Sequence, residues 1–79
     1  MKVEVRFFAR CREIVGEKQR EVELEDGMTL KDLKELLMQE YPELKRLTLL
    51  ISLNHAYADP EATLNDKDEI AVFPPVSGG

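Results

Sequence analysis

The sequence predicts a small α+β domain of two layers, with a mixed sheet of four to five strands packed on one main helix. Three observations predict it. Apolar and polar side chains alternate near both ends of the chain, in KVEVRFF and EIAVF, which marks half-buried strands. A single long stretch, GMTLKDLKELLMQEYPEL, repeats its apolar residues at helical spacing. The chain has 79 residues, 43% apolar and 34% charged, which allows one small core and argues against disorder throughout.

In the first strand Val3, Val5 and Phe7 point one way, and Lys2, Glu4, Arg6 and Phe8 the other. ARCREIVG follows, with Cys11, Ile14 and Val15 at helical spacing and Gly16 as a stop, so a turn or short helix is expected. REVELED alternates again with Val22 and Leu24 inward, and Asp26-Gly27 ends it. The main helix has Thr29 as its N-cap and Asp32 where a carboxylate favours the helix N-terminus. Met28 and Leu33 occupy the positions of a hydrophobic staple. Leu30, Leu33, Leu37 and Tyr41 form its apolar stripe, with Leu36 beside it, and Pro42 stops it near Tyr41. Leu44 and Leu47 complete the packing under a loop. LLISLN reads as a largely buried strand, NHAY as a turn with Asn54 at positive φ, and AYA as a short strand. NDKDE is a polar turn, and EIAVF is the last strand, with Ile70 and Val72 inward.

Few chemistries fit this composition. The formal net charge is −5, and phosphate recognition needs a concentrated basic surface, so nucleic acid is not expected as a partner. Lys2, Arg6, Arg10 and Arg12 do gather near the N-terminus, and read as a solvated face. No membrane span is expected, because no run of apolar residues is long enough. The charged start MKVEVRFFAR does not read as a signal peptide, and one cysteine forms no internal disulfide, so a cytoplasmic location is expected. His55 reads as a solvated turn residue, and Cys11 as core packing. Gly16 and Gly27 read as turn formers, and the carboxylates Glu23, Glu25, Asp26, Asp66, Asp68 and Glu69 as strand ends and turns. No metal or cofactor is expected to bind the chain itself.

The chain closes on FPPVSGG. Pro74 and Pro75 lack N–H groups, so the ladder of the last strand should end at Phe73. That divides the chain into a folded body, 1–73, and an extended tail, 74–79. Paired prolines favour stiff polyproline II, and six residues at ~3.3 Å each reach roughly 20 Å. Gly78 and Gly79 have no side chains, so a narrow tunnel in another protein admits them. The terminal carboxylate is a poor electrophile until ATP-dependent adenylation makes it a mixed anhydride. A sulfur nucleophile then yields a thiocarboxylate, and an amine yields an isopeptide.

The order of elements, at this length, resembles the ubiquitin-like β-grasp fold. More narrowly, the sequence resembles the small, sulfur-carrying subunit of molybdopterin synthase (MoaD-like). FFARCRE with Gly16, Asn54 after the central strand, and above all DKDEIAVFPPVSGG carry the resemblance, which covers essentially the whole chain. The chain is shorter between Tyr41 and Leu49 than some of these relatives.

The resemblance implies that the first and last strands run parallel in the middle of the sheet. It implies that Gly79 is the reacting residue, with Gly78 beside it in the catalytic cleft. A ubiquitin-activating-type adenylyltransferase would use ATP to adenylate Gly79, and a persulfide donor would supply the sulfur. The large synthase subunit would accept the tail and pass the sulfur to cyclic pyranopterin monophosphate. Parallel central strands would also put Phe8, Ala71 and Phe73 on the face opposite the helix, with Tyr57 near them. These, with Pro74, Pro75, Val76 and Ser77, are the expected partner contacts. Carriers for thiamin or cysteine synthesis, a protein modifier, and a plain interaction module with an inert tail are the alternatives.

Overall fold

Each predicted strand is present, and the alternation sets which face it buries. A computed structural model describes residues 1–75. Along the chain run β1 (Lys2–Phe7), α1 (Ala9–Val15), β2 (Gln19–Glu23), α2 (Leu30–Glu40), a 3-10 turn at Pro42–Arg46, β3 (Leu50–Leu53), β4 (Ala56–Tyr57) and β5 (Glu69–Phe73). The five strands form one sheet in the order β2-β1-β5-β3-β4. β1 and β5 are parallel neighbours, with Val5 opposite Ile70 and Phe7 opposite Val72. The remaining pairs are antiparallel. This is the ubiquitin-like β-grasp topology that the resemblance implies.

One side of the sheet is the core side. Val3, Val5, Phe7, Val22, Ile70 and Val72 are buried there, in one cluster with Leu30, Leu33 and Leu37 of α2. Full burial of a residue such as Leu33 contributes about 1.5–3 kcal/mol. Leu44, Leu49 and Leu64 from the connections close the same cluster, and Cys11 of α1 is fully buried in it.

α2 begins where the sequence places its cap. The Asp32 N–H donates to Thr29 Oγ1 at 3.2 Å, and the Thr29 N–H donates to Asp32 Oδ2 at 3.0 Å. Two otherwise orphaned donors are thereby satisfied. Those bonds hold the Asp32 carboxyl below its ordinary pKa, the backbone N–H of Thr29 first and its side chain second. Met28 is half-buried against the core, as a staple residue should be. At the other end the Tyr41 N–H closes on Leu37 O at 2.8 Å. Pro42 does more than stop the helix, since it opens the 3-10 turn that drives Leu44 into the core. Arg20 of β2 binds Glu40 and donates to Tyr41 Oη at 3.0 Å, which ties the sheet edge to the end of α2.

ARCREIV is a helix of seven residues rather than a bare turn. Gly16 caps it at φ 84°, and its N–H donates to Arg12 O at 2.8 Å, an arrangement that favours glycine. Two sequence expectations need correction. LLISLN is not largely buried: Leu49 is, but Leu50–Leu53 are all half-buried. β4 covers only Ser52 and Leu53 of β3, so the strand sits at an almost open edge. Phe8 is not the last residue of β1. It is the N-cap of α1, and Ala9 after it turns the chain at φ 51°.

Candidate functional site

The face of the sheet opposite α2 has a different composition. Register places Arg6 of β1, Ala71 of β5, Ser52 of β3 and Tyr57 of β4 in one row across it. Phe73 lies opposite Leu50 in the next row. Although Phe8 has left the strand, its N–H donates to Val72 O at 3.1 Å. Phe8 therefore stays beside the end of β5, close to Phe73 in the chain's exit. Phe8 and Tyr57 are the exposed large hydrophobic residues of residues 1–75, at 47% and 77%. The Tyr57 and Phe73 rings are tilted by 54° with centroids 6.5 Å apart, within the range of favourable aromatic pairs. Pro74 is half-buried and Pro75 exposed, both beyond the last ladder position.

The four predicted docking residues Phe8, Tyr57, Ala71 and Phe73 thus occupy one face. Phe8 and Ala71 share a shallow depression of ≈ 60 Å³, walled by Arg6, Ser52, His55 and Glu69. The rim is charged but internally paired. Arg6 Nε lies 3.1 Å from Glu4 Oε1, and His55 Nε2 lies 3.0 Å from Glu69 Oε2. Apolar centre and polar rim together have the anatomy of an interface.

Asn54 explains how the rim is held. It and His55 have φ of 50° and 69°, the left-handed pair that a two-residue hairpin turn requires. The Asn54 amide donates to Asp68 Oδ1 at 3.0 Å and accepts the Glu69 N–H at 2.9 Å. One side chain therefore fixes the β3–β4 turn to the start of β5. Leu50 and Ser52 belong to this face but escaped the sequence reading. The signal was their two-residue spacing out of phase with Ile51, concealed in a strand read as buried throughout.

Among the described residues this body carries little chemistry of its own. No polar or charged side chain is buried. No group of three or more His, Cys, Asp or Glu is placed to hold a metal ion among these residues. Burial pushes the Cys11 thiol up, away from the reactive thiolate. His55 is exposed, with its Nε2 3.0 Å from a Glu69 carboxylate oxygen. No described helix is long and apolar enough to cross a membrane. Val76, Ser77, Gly78 and Gly79, the remaining predicted contacts and the predicted reacting end, lie outside the described residues.

The relatives of the chain share its length and fold. The molybdopterin synthase sulfur carrier subunit of Chlamydomonas reinhardtii is 36% identical over 83 residues, covering 100% of both chains. A putative molybdopterin converting factor subunit 1 from Pyrococcus furiosus superposes with a TM-score of 0.90 at 31% identity, over 96% of this chain and 99% of that one. A protein–protein complex of subunits 1 and 2 of the molybdopterin-converting factor from Helicobacter pylori contains a chain with a TM-score of 0.71 and 35% identity, over 100% of both. The ThiS family matches residues 5–79, from the middle of β1 through the final glycine. With that match spanning nearly the whole sequence, the chain belongs to the ThiS family.

Proposed function

We propose that the chain is the sulfur carrier subunit of a molybdopterin synthase, with Gly79 as its reacting residue. The observation that carries this reading is the end-to-end likeness to the Chlamydomonas sulfur carrier subunit, at 36% identity and without overhang on either chain. The body then serves as a handle and the tail, residues 74–79, as the reagent.

The proposed cycle begins when an adenylyltransferase joins the Gly79 carboxylate to the α-phosphorus of ATP and releases pyrophosphate. The terminal sulfur of a persulfide attacks the acyl carbon, and AMP leaves. A thiol cleaves the resulting acyl disulfide, giving the thiocarboxylate. The tail then enters the large subunit, where the thiocarboxylate sulfur forms a C–S bond to cyclic pyranopterin monophosphate as a C–O bond at that carbon breaks and its oxygen leaves. Hydrolysis of the acyl–sulfur bond returns the carboxylate. Two such transfers build one dithiolene. The likeness to a subunit solved in complex with its second subunit supports a large-subunit partner.

Docking is assigned to Phe8, Tyr57, Ala71 and Phe73, with Pro74 and Pro75 leading outward and Val76 and Ser77 entering the partner. Aromatic residues of this kind anchor interfaces. The same face would meet the activating enzyme and the synthase in turn, since the tail leaves beside it.

Reconstitution tests the proposal. Thiocarboxylated full-length chain, the large subunit and cyclic pyranopterin monophosphate should yield the pterin dithiolene. Deleting Gly79, or adding one residue after it, should abolish transfer and leave the thermal unfolding midpoint unchanged. Undiminished product from either variant, or lysine-linked adducts of the chain in place of dithiolene, would overturn it.

A further inference from the structure

A second surface lies around the edge of the sheet from the aromatic face. β4 pairs with β3 only at Ser52 and Leu53, and the ladder goes no further. The Asn54 N–H donates to the Glu69 carbonyl at 2.7 Å, toward β5. Strand alternation then turns the backbone groups of Leu50 and Ser52 toward β5, and those of Leu49 and Ile51 toward the outer edge. There the chain after β4 has already peeled away, because the Pro60 carbonyl accepts the Lys31 N–H at 2.9 Å.

The space this leaves is an open groove of ≈ 350 Å³ between the β3 edge and α2. Leu30, Leu49, Ile51 and Ala58 line it, and Leu50 and Tyr57 continue it around the edge. Its charged lining residues are Lys31 and Lys34, in a chain of net charge −5. Neither forms an ion pair among the described residues. The nearby Asp59 is turned into its own loop, where it accepts the Glu61 N–H at 2.8 Å.

We propose that this groove takes an extended segment of a protein partner, one with aliphatic side chains flanked by carboxylates, which adds to the β3 edge beyond β4. An added strand would pair backbone groups of the β3 edge that the short β4 ladder leaves unpaired. Its alternate side chains fall to the two sides of the sheet. Those on the helix side meet Leu30, Leu49 and Ile51, with the lysines at the rim to receive acids. Those on the other side meet Leu50 and Tyr57. The proposal stands apart from the chemistry assigned to Gly79, since the groove and the tail share no residue.

Random linear peptides displayed on phage and selected on the full-length chain supply the probe. Enrichment of alternating aliphatic and acidic sequences is expected. A synthetic copy of the most enriched peptide should shift the backbone amide signals of Lys31, Lys34, Leu49, Ile51 and Ala58. Lys31→Glu with Lys34→Glu should weaken binding about tenfold, with Lys31→Gln and Lys34→Gln intermediate and the unfolding midpoint unchanged. Methylating alternate peptide nitrogens should remove binding, because it removes the added ladder. No enrichment, enrichment without acids, or equal binding of the methylated peptide would overturn the proposal. So would shifts confined to Phe8 and Phe73, or sedimentation showing that a second copy of the chain already covers the groove.

Discussion

The two faces of β5 make the sharpest contrast in the molecule. Ile70 and Val72 are 1% and 0% exposed and lie in the core. Ala71 and Phe73, their immediate neighbours in sequence, lie on the opposite face with Tyr57 and the charged rim. Period-two alternation explains the first set completely: an apolar residue on that side is covered. On the second side the same alternation should give polar residues, and β1 and β2 comply with Lys2, Glu4, Arg6, Glu21 and Glu23. The departure is confined to the end of β5 and what surrounds it. Solubility does not favour exposed aromatics there, which is why the proposed docking surface is placed on them.

Substitutions on the two faces should therefore separate stability from binding. The largest effect is expected on the core side. Leu33→Ala should cost about 2–5 kcal/mol, through lost burial and the cavity it leaves. Urea unfolding measures it, and a cost under ~1 kcal/mol would mean that α2 does not clamp the sheet. On the other face, Phe73→Ala should cost about 2 kcal/mol of affinity for the large subunit, roughly thirtyfold in Kd. Its unfolding free energy should change by less than that. Titration calorimetry and urea unfolding on the same preparation decide the point, and equal losses in both would erase the distinction between the faces.

Smaller effects test how the scaffold holds these faces in place. Thr29→Ala removes the hydroxyl acceptor at the start of α2 and should cost about 1 kcal/mol in urea unfolding. Arg20→Ala unties β2 from Glu40 and Tyr41. Because that pair is about a third exposed, the cost should be only ~0.5 kcal/mol after solvent screening. Asp32 gives the finest test. Its carboxyl pKa is depressed in the folded state, so its contribution is full above the ordinary carboxylate pKa and is lost as pH falls through the lower folded value. Asp32→Asn should therefore flatten the acid limb of the stability curve and remove a step at neutral pH that does not depend on pH. An unchanged acid limb would show that the capping box does not persist in solution.

Much of the fold was legible because single residue types were decisive. Thr29 with Asp32 fixed the start of α2, Pro42 its end, and the alternation in β1 and β5 the buried face. Asn54 was legible as a turn residue, but not as the tie between that turn and β5, since its partners Asp68 and Glu69 are remote in sequence. The parallel pairing of β1 and β5 came from the resemblance; a pattern within one strand says nothing about its neighbour's direction. Phe8 followed the alternation of β1 by count, yet the positive φ at Ala9 makes it a cap. The half-buried state of β3 and its edge groove were illegible for a related reason. Both follow from β4 stopping after Tyr57, a property of the whole sheet edge and not of LLISLN.

Intact-mass spectrometry tests the proposed reaction at Gly79 most directly. The full-length chain is incubated with an activating enzyme, ATP and a persulfide donor, then weighed and fragmented. The expected result is exchange of one oxygen for one sulfur, mapped to Gly79 and dependent on ATP. No mass change, or sulfur located on Cys11 in place of the C-terminal carboxylate, would contradict it.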